Sequence, residues 1–162
     1  MWPDAMMFLD MNTSAWSASS RSAVSCIDLA TSRYGAKDLI LQSGRIPIRI
    51  TVGQPRWPLG YALAYTVREL APTRPMLGLS TDIFEQTYRA RLNDLGVEAI
   101  RALLQRCCDD SGNDRLVVLC FENVDEPGKS CHRRMLATLW QEQTGQVVPE
   151  LQPDVRQEQL FR

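Results

Sequence analysis

"LVVLCFENVDEPGKSCHRRM", residues 116–135, decides how this chain is read. Its first six residues form a continuous apolar run, of the kind buried on both faces of a parallel sheet. A polar loop follows, and then "CHRRMLATLWQEQTG" places Met135, Leu136, Leu139 and Trp140 at helical spacing before Gly145. Ser130 is the expected cap of that helix. A buried strand that feeds a loop and an amphipathic helix is half of a βαβ unit.

The pattern repeats on both sides. "AVSCIDLA", residues 23–30, reads as a first strand, and Tyr34-Gly35 as a turn before a short helix closed by Gly44. "RIPIRI", residues 45–50, reads as a second strand in which Pro47 suggests an edge or a strand start. "TVGQPRWPLGY" holds two prolines and two glycines and predicts a shaped loop. A helix is expected from about Tyr61 to Leu70, stopped by Pro72. Ser80 to Asp82 open another, with Phe84, Tyr88, Leu92 and Leu95 on one face. A further helix carries Val97, Ile100, Leu103, Leu104 and Cys107. "QVVPEL", residues 146–151, reads as a last short strand. Strands alternating with helices predict a single α/β domain, a Rossmann-like three-layer fold with a mainly parallel sheet flanked by helices. Its expected extent is 24–151, between a loosely packed leader over 1–23 and a tail over 152–162.

With 162 residues the chain is long enough for one core and too short for two of ordinary size. A net charge of −1 argues against a general polyanion binder. The basic residues are sixteen arginines and two lysines, Lys37 and Lys129, and arginine grips phosphate or carboxylate with a fixed fork. No apolar run reaches the ~18 residues that span a bilayer, so no membrane partner is expected. Five cysteines without an export signal predict reduced thiols and a cytoplasmic location.

In a parallel α/β fold ligands bind beyond the carboxyl ends of the strands. Cys120 and Glu122 lie at that end of the central run, and Cys131, His132 and Arg133 open the following helix, so the two groups should meet. A cysteine in a first helical turn beside arginine has the setting for a depressed thiol pKa. Glu122 is the candidate general base. A phosphatase-type signature is excluded, because the sixth residue after Cys131 is Ala137 rather than arginine. Zinc is a second reading of Cys120, Glu122, Cys131 and His132. The spacing speaks against it, since neighbouring side chains such as Cys131 and His132 diverge on a helix, and no residue is assigned as a metal ligand on sequence alone.

The same residues resemble the bacterial and phage family catalogued as domain of unknown function 488. That family's hallmark is an apolar strand ending in Cys-x-Glu, a variable loop, and Cys-His-Arg opening a helix. The likeness extends over roughly residues 25–151. "TSRYGA" is similar to the family's Tyr-Gly turn, and "IRITVGQPRWPLGY" to its second-strand loop, where this chain keeps Arg49 and lacks the preceding acid. The resemblance implies an α/β fold and a site at these residues, with the reaction left unnamed.

The first expectation is therefore a pocket for a phosphate-bearing small molecule or nucleotide. Arg49, Arg56, Arg133 and Tyr34 would hold the ligand, and Cys120, Glu122, Cys131 and His132 would surround its reactive part. No cofactor is specified. A metal-binding or thiol redox-sensing module is the alternative. A nucleic-acid or protein-interaction surface, with Trp57 and Tyr61 beside Arg56, is a less favoured third.

Overall fold

The computed structural model describes residues 26–124 and 131–153. The expected leader, the Ser130 cap and nearly all of the tail lie outside them.

Four strands, β1 (Asp28–Arg33), β2 (Ile46–Arg49), β3 (Tyr65–Thr66) and β4 (Arg115–Cys120), form one sheet in the order β1-β4-β2-β3. Every pairing is parallel. Four α-helices accompany it among the described residues: α1 (Lys37–Ser43), α2 (Thr81–Leu95), α3 (Val97–Ser111) and α4 (His132–Thr144). This is the single-domain, three-layer α/β arrangement expected from the alternation of patterns.

The apolar run that starts at Leu116 is β4, an inner strand between β1 and β2. Leu116 to Cys120 are all fully buried, because a strand covered on both faces has no solvent side. Successive side chains part to opposite faces. Leu116 and Val118 join the core built with Tyr88, Leu92, Ile100, Leu104, Leu136 and Trp140 from α2, α3 and α4. Val117 and Leu119 join Ala30, Tyr34 and Ile40 on the side of α1, where the 59–63 segment also packs. Cys120 shares the parity of Leu116 and Val118, which turns its thiol toward α4. Phe121, expected inside the strand, lies just beyond it and is 41 % exposed.

Two elements differ from expectation. Residues 61–70 form no α-helix; they give β3 and a 3₁₀ turn, Arg68–Leu70. Leu63, Tyr65 and Val67 turn inward and Ala62, Ala64 and Thr66 outward, so the segment has period two, the strand period. The expected strand in "QVVPEL" is reduced to a single parallel bridge between Thr31 and Glu150. Pro149 follows the two valines and cannot donate to a ladder, so the backbone bonds to Thr31 come from its carbonyl and the Leu151 amide.

Pro47, read as a sign of an edge or a strand start, is the second residue of β2, a strand with neighbours on both sides. β3 pairs only with Ile48 and Arg49. The Ile46–Pro47 half of β2 is thus without a partner on that side, where the missing proline N–H costs nothing.

Candidate functional site

Cys120 ends β4, Ile50 and Thr51 follow β2, and Cys131 to Arg133 open α4. The carboxyl ends of two adjacent strands and one helix start therefore meet. Cys131 is not in the first turn as expected; it is the N-cap, with extended backbone at φ −142° and ψ 132°. Its carbonyl accepts the amides of Arg134 and Met135. The change from extended to helical backbone between Cys131 and His132 removes the divergence that two successive helical positions impose. Both side chains thereby reach one point.

At that point one donor atom each from Cys120, Glu122, Cys131 and His132 lies within 4.8 Å of all the others. Both thiols contact the same Glu122 oxygen, Oε2, with Cys131 Sγ at 3.3 Å. His132 Nδ1 lies 3.3 Å from Cys120 Sγ. On the far side of the ring, Nε2 is 2.8 Å from the Ile50 carbonyl. A carbonyl only accepts, so Nε2 carries a proton there, and Nδ1 is the ring nitrogen turned toward the cluster. Tyr88 from α2 meets the imidazole edge to face, 5.6 Å between centroids, and fixes the ring plane.

The two thiols are driven apart. Burial pushes Cys120 up, as do its hydrogen bond to Cys131 and the charges of Cys131 and Glu122. Cys131 is pulled down to about 6, by the hydrogen bond from Cys120 foremost, against the opposing effect of burial, and further by His132 and Arg133. Glu122 is raised by burial but lowered more by hydrogen bonds from Cys120, a backbone amide and Cys131, and it ends below the ordinary carboxylate value. The lowering of Cys131 thus comes foremost from Cys120 and not from the first-turn position expected for it. Its side chain is only 3 % exposed, however, which suits an anchored ligand better than a nucleophile that must be approached.

Arg133 is fully buried and already committed. Its Nε and Nη2 form a two-pronged pair with Glu150, at 3.1 and 2.8 Å, and Nη1 donates to the Glu122 carbonyl at 2.8 Å and to Cys131 Sγ at 3.4 Å. It fixes two members of the cluster and has little left for a ligand. Tyr34 is likewise buried. Thr51 spends its hydroxyl proton on the Gly53 carbonyl at 2.7 Å, so Tyr34 is the donor in their 2.7 Å contact. Burial raises the Tyr34 phenol, which keeps the proton it donates. Removing that donor with Tyr34→Phe is expected to cost roughly 1 kcal/mol, measured as a lower urea midpoint without a change of slope.

A cavity of about 370 Å³ opens onto Cys120, Glu122 and His132, walled by Thr51 to Gly53, Pro72, Phe84 and Phe121. Arg49 does not line it. It lines an adjoining cavity of about 340 Å³ with Arg68 and Arg74, and Thr51, Val52 and Pro72 are common to both. Arg56 is exposed and lines neither. Tyr61 packs against the Tyr34 cluster and donates to the Tyr34 carbonyl at 3.0 Å, while the Trp57 ring meets the edge of Phe121. Arg68 and Arg74 were not singled out in the sequence, where nothing distinguishes them from the other arginines. Among the described residues no helix is long and apolar enough to cross a membrane.

Comparison of the chain with protein-family models, with curated proteins and with solved structures finds no match.

Proposed function

We propose that this chain binds one zinc-class metal ion through Cys120, Glu122, Cys131 and His132 and presents it to a small molecule in the apolar cavity above. The observation that carries the reading is the convergence of four donors, two thiols, a carboxylate and an imidazole, within 4.8 Å of one another. Soft sulfur with imidazole and carboxylate is the donor set of zinc rather than of calcium or magnesium. The surroundings fit as well. A metal-binding histidine ordinarily donates its second ring nitrogen to a carbonyl or carboxylate, which fixes the tautomer, and His132 does so to Ile50. Three of the four donors line an open cavity, the arrangement of a centre that meets a ligand rather than one closed for structure alone.

The kinship with domain of unknown function 488 is part of this proposal, since Cys120, Glu122, Cys131, His132 and Arg133 carry it. A reducing, cytoplasmic setting is part of it too, because thiol donors must stay reduced. The test is the metal content of protein purified with its thiols reduced and without added metal. About one equivalent of zinc or a similar ion per chain is expected. Less than about a tenth, with no uptake of added zinc or cobalt, would overturn the reading, and a reversible Cys120–Cys131 disulfide in its place would make the pair a redox couple.

A further inference from the structure

We infer that the second cavity is a phosphate-binding site formed by Arg49, Arg68 and Arg74, and that the two cavities together take a phosphate monoester with an apolar or aromatic body. This rests on the reading of the neighbouring cavity as the place where the ligand meets the metal.

Arg49 ends β2, Arg68 opens the 3₁₀ turn after β3, and Arg74 opens a second 3₁₀ turn, Arg74–Gly78. Three separate segments thus bring guanidinium groups to one concavity of about 340 Å³. Five other arginines, Arg45, Arg89, Arg101, Arg115 and Arg133, each bond a carboxylate. Among the described residues no ion pair joins Arg49, Arg68 or Arg74 to an acid, including Glu69 beside Arg68. Arg49 has a further deficit. Its Nε is buried without a hydrogen-bond partner, and its Nη1 reaches only Gln54 at 3.4 Å. A buried N–H is costly to leave unmade, and three unneutralised cations around one hollow repel each other. A doubly charged oxyanion relieves both, and the guanidinium fork matches its geometry.

The companion cavity specifies the other half of the ligand. Leu77, Leu79 and Phe121 line it and are among the exposed large apolar side chains of the described residues. Met76 and Phe84 complete a surface that water covers poorly and an apolar body covers well. Thr51, Val52 and Pro72 are shared walls, so one molecule can span both hollows with its ester linkage toward Cys120, Glu122 and His132.

The experiment is calorimetric titration of the protein as purified with phenyl phosphate, inorganic phosphate and benzoate, each alone. Phenyl phosphate is expected to bind at least about tenfold more tightly than the other two. Arg68→Gln and Arg74→Gln, both at exposed positions, should each weaken phenyl phosphate by about tenfold or more with melting temperature and metal content unchanged, and the double variant should abolish binding. Equal binding of benzoate would overturn the phosphate assignment. Equal binding of inorganic phosphate would overturn the apolar body, and binding indifferent to both substitutions, or none at millimolar ligand, would overturn the site. The metal reading fails separately: phenyl phosphate binding that needs the arginines, in a wild-type protein that neither holds metal nor takes up added zinc or cobalt, would leave this site standing and remove that centre.

Discussion

Cys131→Ser and His132→Asn are each expected to reduce bound metal from about one equivalent per chain to under about a tenth, because a four-donor site that loses a thiolate or an imidazole no longer competes with water and buffer. Cys107→Ser supplies the comparison. Cys107 is also a buried thiol, but it lies on α3 and bonds the Leu103 carbonyl within its own helix, so its replacement should leave the metal in place. The same centre should be visible in stability, since an ion that binds only the folded chain contributes roughly 4 kcal/mol at a thousand times its dissociation constant. Chelation is therefore expected to lower the melting temperature by on the order of 10 °C for a domain of this size, and to do nothing to the Cys131→Ser variant. Undiminished metal in Cys131→Ser would refute the assignment of that thiol, whatever the wild-type content.

Glu150→Ala should be as damaging to the fold as the cysteine change is to the centre. Arg133 is fully buried, and Glu150 is the only carboxylate paired with it among the described residues. The same carboxylate accepts the Thr31 hydroxyl at 2.6 Å. Breaking a buried pair from one side costs roughly 3–5 kcal/mol, a large share of the ~5–15 kcal/mol that holds a domain together, with the Cys131 sulfur the remaining negative neighbour of Arg133. Urea denaturation should show a much lower midpoint for Glu150→Ala. Removing both charges, as in Arg133→Met with Glu150→Leu, should recover part of the loss, since apolar replacement of a whole pair is often near neutral. A Glu150→Ala protein within about 1 kcal/mol of wild type would show that the pair is not the fastener described here.

Much of this architecture was legible because its signals are local. The apolar run 116–120, the stripe of α4 and the glycines that end α1, α2, α3 and α4 state their own structure. The Tyr61–Leu70 segment misled because Tyr61, Leu63, Tyr65 and Val67 alternate over only a few residues between two prolines, Pro58 and Pro72, and so short a stretch fits a helix and a strand almost equally. The candidate site was half legible. Cys120, Glu122, Cys131 and His132 could be named as neighbours from strand-end and helix-start logic, but their convergence depends on where α4 begins. One residue's backbone decided whether Cys131 and His132 diverge. The commitment of Arg133 depends on Glu150, and the arginine hollow on Arg68 and Arg74, which are placed by tertiary turns that no periodicity announces.

The strand order has a consequence for how the molecule comes into being. β1 and β2 are complete by residue 49 yet share no ladder, because β4 stands between them. On a growing chain β1 has no neighbouring strand, and β2 only the two-residue β3, until residues 115–120 arrive. Glu150 must follow before Arg133 gains its carboxylate partner. Contacts so distant in sequence close slowly, and unpaired strand edges waiting for a partner invite association with other chains. Nascent chains that end before residue 150 should therefore be the aggregation-prone and protease-sensitive species, and synthesis of residues 121–150 the step at which this domain becomes safe.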